Sequence, residues 1–190
     1  MKKIPTIFLR DPDNLSEVTD DPHPGCEWVF EGEGIATQKY DGTCVLIDKG
    51  KYYKRQMIKT NKQGVLTVPK GFKPISHDVE TDKIIGWVEV DPKAKENRWH
   101  IEALESQKLR DYLCETFELV GPKIQGNPEN FQSHCLIPHY TAQVFLSVPR
   151  KYAALKEWFK DKDIEGIVFH HYDGRMAKIK KRDFGLSRKE

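Results

Sequence analysis

The chain has 190 residues, 38% hydrophobic and 32% charged, with a formal net charge of +2. That length suits one domain with a sizeable core and is short for two; no run approaches the ~18 apolar residues of a membrane span, and no apolar stretch follows Met1-Lys2-Lys3-Ile4-Pro5 as a secretory signal would require. The cysteines Cys26, Cys44, Cys114 and Cys135 form no C-x-x-C pair, so neither a zinc ribbon nor a disulfide framework is expected, and a reducing compartment, cytoplasmic or nuclear and not secreted, fits best.

Residues 10–34, rich in Asp, Pro, Gly and Glu, read as an irregular lead-in. From Ile35 the pattern is β. Strands are expected over Thr43 to Ile47 and Tyr52 to Ile58, with Lys49-Gly50 as a two-residue hairpin loop. That centring sets Cys44 opposite Arg55 and returns Arg55 to the neighbourhood of Lys39-Tyr40-Asp41-Gly42. Residues 59–83 alternate Gly, Pro and polar residues and read as loops with short strands. His100 to Leu113 carries an imperfect apolar stripe of Ile101, Leu104, Leu109 and Leu113 and is expected to be helical. A clearer helix is expected over 149–161: Pro149 suits a first turn, and Tyr152, Leu155 and Phe159 recur on one face.

The last hairpin carries the most information. Ile164 to Phe169 reads as a buried strand, Asp173-Gly174 as a type I′ turn and Met176 to Lys181 as the return strand. Centring the turn on Asp173-Gly174 pairs Phe169 with Lys178, Ile167 with Lys180 and Glu165 with Arg182. Paired residues share a face of the sheet, and so do alternate ones. Glu165, Lys178 and Lys180 are therefore expected on one side. The stretch from Arg175 to Lys189 is basic, with Asp183 its one acid. A solvated tail is the ordinary reading, but alternation with Met176, Ile179, Phe184 and Leu186 makes part of it strand.

A lysine amine attacks phosphorus only when unprotonated, and its ordinary pKa is about 10.4. A second ammonium about 4 Å away costs about 4 kcal/mol at an effective dielectric near 20, which is roughly three pKa units. Lys178 and Lys180 are candidates to lower Lys39 in this way and to neutralise a phosphate. Glu165 is the best candidate ligand for a divalent ion, with Asp41 the second, and Gly42 would let backbone approach a phosphate closely. Each residue also has a plain alternative: a surface lysine, a turn, an edge-guarding charge. His134-Cys135 with His139, or the pair His170-His171, invite a zinc reading. Adjacent histidines on a strand face opposite ways and Cys135 lacks a second thiol, so structural or solvent-facing histidine is favoured.

Four short islands line up in order: Lys39-Tyr40-Asp41-Gly42, Phe117-Glu118-Leu119-Val120-Gly121, Glu165-Gly166-Ile167-Val168 and Lys178-Ile179-Lys180. The set resembles the nucleotidyltransferase motifs of polynucleotide ligases and RNA-capping enzymes. Two further blocks, Gly86 to Asp91 followed by Trp99 to Ala103, and Phe117 to Pro128, narrow the resemblance to vertebrate-type 5′-to-3′ RNA ligases and their viral relatives. It covers about residues 35–186.

The resemblance implies an α+β fold: one nucleotidyltransferase (ATP-grasp-like) domain over residues 1–190, of antiparallel sheets flanked by helices, with the nucleotide held between sheets; as a departure from larger relatives, which carry an OB-fold or a helical domain after the last motif, no C-terminal OB-fold is expected. It implies ATP-dependent joining of a 3′-hydroxyl to a 5′-phosphate in RNA, with magnesium or manganese, through a lysine–AMP intermediate and an adenylylated 5′ end. No membrane and no obligate protein partner are expected. Carried over by motif, Lys39 is the adenylylated lysine, Arg55 the arginine acting on the nucleic-acid end, and Glu118 the ribose contact. Phe145 is the aromatic stacking on the purine, Gln38 meets the base edge, Glu165 holds the metal, and Lys178 with Lys180 hold the phosphate. Trp87 and Trp99 have core packing as their plain reading. A GTP-using capping guanylyltransferase, a minimal DNA nick ligase and an inactive nucleic-acid-binding domain of the same fold are the alternatives.

Overall fold

The computed structural model describes residues 4–79, 81–106 and 114–188. Its strands and helices are α+β with antiparallel sheets, as expected. The chain divides into two compact units, Asp41–Thr141 and Ile4–Tyr40 together with the chain from Ala142 onward. It crosses between them at residues 40–41, inside the Lys39-Tyr40-Asp41-Gly42 run, and returns at 141–142.

Chain order begins with β1 (Phe8–Arg10) and β2 (Val18–Pro22), a two-stranded antiparallel ribbon, then α1 (Glu27–Phe30) and β3 (Ile35–Lys39). The lead-in expected to be irregular over 10–34 therefore holds a strand and a helical turn. No periodic apolar run announces them; they are held by pairing with β1 and by burial of Val18, Trp28 and Val29. Next come β4 (Thr43–Asp48), β5 (Lys51–Lys59), β6 (Lys73–Asp78), β7 (Lys83–Glu89), α2 (Arg98–Ser106), β8 (Cys114–Val120) and β9 (Cys135–Pro138). Of the helix expected over 100–113, the part to Ser106 is present, and Leu109 and Leu113 lie outside the described residues. The chain closes with β10 (Val144–Phe145), α3 (Tyr152–Lys160), β11 (Gly166–His170) and β12 (Met176–Lys180). α3 starts at Tyr152 rather than at Pro149, and Leu155 and Phe159 are buried as the periodicity predicts.

In the unit Asp41–Thr141 the sheet order is β6-β7-β5-β4-β8-β9, antiparallel throughout. Successive side chains point to opposite faces. Val45, Ile47, Tyr52, Phe117 and Leu119 fill one face, against which Trp99, Ile101, Ala103 and Leu104 of α2 pack. Cys44, Tyr53 and Trp87 are buried on the other. The first hairpin has the expected register: Val45 lies opposite Lys54 and Asp48 opposite Lys51, which carries Arg55 to the row of Cys44. Lys49 and Gly50 both have positive φ, 49° and 73°, as a type I′ turn requires.

The second unit's sheet runs β10-β3-β11-β12. Ala36, Ile167, Phe169, Ala177 and Ile179 turn one face to Phe8, Leu155, Phe159 and Phe184. Burying a side chain of that size stabilises by about 1.5–3 kcal/mol, and the Phe8, Tyr152 and Phe184 rings meet edge to face at 5.1–6.3 Å. The free edge of β12 is covered by the N-terminal segment, Ile7 N–H donating to Lys178 O at 2.9 Å and Lys178 N–H to Pro5 O at 2.9 Å. One face of this sheet is thus fixed in a core, leaving the other for chemistry.

Candidate active site

The last hairpin differs by one residue from the register expected. Gly166 pairs with Lys180, Val168 with Lys178 and Phe169 with Ala177; Ile167 does not pair with Lys180, nor Phe169 with Lys178. The loop has three residues, Tyr172-Asp173-Gly174, closed by His171 N–H to Arg175 O at 2.9 Å, with Gly174 at φ 90°. A glycine in this conformation ends a three-residue loop as readily as it completes a type I′ turn. The Asp173 carboxylate fixes the choice: it accepts from Arg175 N–H at 3.0 Å and lies 2.7 Å from Nδ1 of the buried His171.

The shift puts Gly166, not Glu165, in the row of Lys180. β3 completes that row, because Gly166 also pairs with Lys39. Lys39, Gly166 and Lys180 therefore lie across three strands on one face, with Thr37, Val168 and Lys178 in the next row. Gly166 must be glycine: a Cβ there would lie 2.3 Å from Ile179 O and 2.8 Å from Lys180 Cα. Glu165, just before the strand, accepts Lys39 Nζ on Oε2 and Lys180 Nζ on Oε1. Its own carbonyl is held by Lys181 N–H at 2.9 Å. Glu165, Lys178 and Lys180 do meet, together with Lys39, but Glu165 arrives from the strand end rather than by alternation.

The charges perturb one another. Burial would raise the Glu165 carboxyl, but the Lys39 and Lys180 ammoniums outweigh it and hold the group below its ordinary range. Burial, then the ammoniums of Lys180 and Lys39, pull Lys178 down from 10.5 to about 8, against partial opposition from Glu165 and Asp183. The backbone at Lys180 is pinned by its N–H to Asp183 Oδ2 at 2.9 Å, and Arg10 Nη1 donates to the buried Asp183 Oδ1 at 2.8 Å. The buried Lys181 side chain points away from the cluster; its Nζ donates to Lys160 O and Lys162 O at 3.2 and 3.1 Å, satisfying carbonyls at the end of α3. Three ammoniums around one carboxylate make a site for an anion that can replace Glu165 as their partner.

Two residues expected at the nucleotide lie elsewhere on this sheet. Gln38 alternates to the face opposite Lys39, in the row of the buried Ile167, and its N–H donates to Gln143 O at 2.8 Å. Phe145 pairs with Ala36 and packs on the apolar cluster, its ring edge-on to Trp158 at 5.4 Å.

In the unit Asp41–Thr141, Asp41 N–H donates to Glu129 Oε1 at 3.0 Å. A Cβ on Gly42 would sit 2.3 Å from Leu119 O, so contact with β8 alone requires glycine, with no phosphate involved. Glu118 stands opposite Cys44, and its Oε2 lies 3.0 Å from His139 Nε2, whose Nδ1 is 2.8 Å from Thr116 Oγ1. The ligating atoms of Cys44, Glu118 and His139 lie within 4.8 Å of one another, a thiol, carboxylate and imidazole set that suits a zinc-like ion. That set differs from the histidine groupings the sequence offered, and only the register of β4 and β8 reveals it. The remaining histidines of those groupings have protein partners: His134 with Glu102 at 2.8 Å and stacked on Trp99, His170 with Thr37 at 3.0 Å, and His171 between Glu33 and Asp173. Arg55 is exposed, opposite Trp87 on β7. Trp87 is buried, and Trp99 packs on the core beneath α2.

Residues 100–190 match the family described as RNA ligase 1. RNA ligase 1 of Mus musculus is 28% identical, over 80% of this chain and 67% of that protein. RNA ligase 1 of Pongo abelii is also 28% identical over the same shares, and that of Danio rerio is 25% identical over 97% of this chain and 81% of its own. Over most of its length the chain is thus similar to proteins named RNA ligase 1. The family match takes in Glu118, Glu165, Lys178 and Lys180, and the Danio rerio alignment spans nearly the whole chain.

Proposed function

We propose that this chain is an ATP-dependent RNA ligase that joins a 3′-hydroxyl to a 5′-phosphate through a covalent lysine–AMP. The observation that carries the reading is the cluster on the four-stranded sheet: Lys39 and Lys180 on the two oxygens of Glu165, with Lys178 in the adjacent row. The Lys39 amine attacks the α-phosphorus of ATP, an N–P bond forms, and the bond to pyrophosphate breaks. The proton leaving Lys39 has an acceptor in Glu165 Oε2. Lys178 and Lys180 stabilise negative charge growing on the α-phosphate. AMP then passes to the RNA 5′-phosphate, and the 3′-hydroxyl displaces it to form the phosphodiester.

Glu165 is a hard oxygen donor of the kind magnesium or manganese takes and would hold such an ion. When bound, the ion would neutralise charge on the leaving pyrophosphate. Glu118 is assigned the ribose hydroxyls and Arg55 the RNA 5′ end, each by its motif.

Incubation with α-labelled ATP or GTP and magnesium, followed by a denaturing gel, tests the reading. Acid-labile labelling from ATP supports it. Labelling from GTP alone would favour a guanylyltransferase, and labelling from neither would refute nucleotidyl transfer.

A further inference from the structure

Charge along the chain is distributed unevenly. The net value is only +2, yet residues 49–77 hold eight Lys or Arg and no Asp or Glu, so the rest of the chain is net acidic. This basic segment builds β5, β6 and the stretch between them, at one side of the six-stranded sheet.

Pairing decides which of these cations act together. Arg55, Met57 and Lys59 alternate onto one face of β5 and stand opposite Trp87, Ile85 and Lys83 of β7, while Lys73 of β6 also pairs with Trp87. All share the face away from the core that packs against α2. Arg55, Lys59 and Lys73 are exposed, and Met57 is 55% exposed between the two β5 cations. Lys73 is held in place, with Nζ donating to Tyr53 OH at 2.9 Å and lying 4.4 Å over the ring. Glu89, paired with Lys51 at 3.1 Å, lies at the border of the patch, and Asp78 stands opposite Lys83 on the same face, the one acid in its rows among the described residues.

We propose that this face of β5, β6 and β7 is the docking surface for the RNA strand, with Lys59, Lys73 and Lys83 continuing the line of phosphate contacts that begins at Arg55. The proposal rests on the RNA-ligase reading for the identity of the nucleic acid. Four residues of strand at about 3.3 Å each separate Arg55 from Lys59 by about 13 Å, the length of about four nucleotides stacked at 3.4 Å. Met57 and Ile85 give sugars and bases an apolar floor between the cations. A flat, cation-lined strand face with an apolar centre fits a polyanion that also carries planar apolar groups.

The test is fluorescence anisotropy of a labelled single-stranded RNA dodecamer against the full chain and the double variant Lys59→Gln/Lys83→Gln, across a salt series. Neither residue belongs to the proposed chemistry, so ATP self-labelling of the variant should equal that of the parent. Two lost phosphate contacts should make the log–log salt slope shallower by about 1.4, with binding about tenfold weaker. An unchanged slope and affinity would overturn the proposal. So would the same loss in Lys93→Gln, a single exposed cation off this face, or competition by polyglutamate as effective per charge as unlabelled RNA, which would indicate an acidic protein partner. Parental self-labelling is read separately. Its absence would sink the ligase reading while leaving the measured RNA contact standing, and weakened binding with intact labelling supports both.

Discussion

The two sheets hold their cations in opposite ways. On the four-stranded sheet Lys39, Lys178 and Lys180 crowd one face around a single carboxylate, and Lys178 falls to about 8. On the six-stranded sheet Arg55 and Lys59 stand apart and exposed, with no carboxylate paired to either among the described residues. Crowding under partial burial changes what an ammonium is, making it a group that can release a proton near neutral pH. Separation in solvent leaves cations as plain charges, whose attraction for a polyanion is long in reach and screened by salt. The first arrangement suits bond making and the second suits grip, and substitutions should separate them.

The largest effect is expected at Lys39. Lys39→Arg keeps the charge but cannot supply a neutral amine, so nucleotide labelling should vanish on a gel that detects a thousandth of parental signal, while sealing of pre-adenylylated RNA persists. Labelled Lys39→Arg would remove this residue from the role. Next is Gly166→Ala, whose new Cβ would meet backbone at 2.3 Å in the middle of the cluster. Overpacking of this kind costs about 1–3 kcal/mol; denaturant unfolding should report that loss, and labelling should fall about a hundredfold because Lys39 and Lys180 lose their common row. Parental labelling with parental stability would show that the row does not position the cluster.

On the other sheet, Arg55→Ala should slow end-to-end sealing by about tenfold to a hundredfold, the equivalent of a charged hydrogen bond worth about 1.5–3 kcal/mol. Self-labelling should change by less than about twofold. Equal loss in both steps would assign Arg55 to the nucleotide instead. The smallest effect concerns stability and pH. Lys178 is ordinarily 10.5 and is about 8 when folded, so between those values the unfolded chain binds more protons and stability rises with pH. Below about pH 8 the native state holds an unfavourable charge. Lys178→Gln should therefore raise the thermal midpoint at pH 7, with the advantage shrinking from pH 8 to 10. An advantage that is constant across that range would mean Lys178 is not depressed in the folded protein.

The same contrast bears on what the sequence reveals. Lys49-Gly50 specifies its register locally, because both residues adopt positive φ in a two-residue loop. Asp173-Gly174 is a similar signal with a different outcome, since Asp173 bonds to the buried His171, which Glu33, from a distant part of the chain, holds at 2.5 Å. Lys178 and Lys180 share a face under either register, which is why their convergence survives the error. The meeting of Lys39 with Glu165 depends on β3 pairing with β11 across the sequence, and no local pattern encodes it; only the motif resemblance brings the two together. Cys44, Glu118 and His139 assemble from three separate stretches in the same non-local way. β2 and α1 escape notice because their few apolar residues, Val18, Trp28 and Val29, show no period.

Lys178 has the depressed pKa and Lys39 has the motif, so the identity of the modified lysine is the most direct test of the central claim. After reaction with ATP and magnesium, the chain should be digested at neutral or basic pH and the AMP-bearing peptide sequenced by mass spectrometry. The adduct is expected on Lys39, at full occupancy of the labelled fraction. An adduct on Lys178 or Lys180, or none on any lysine of the cluster, would contradict it.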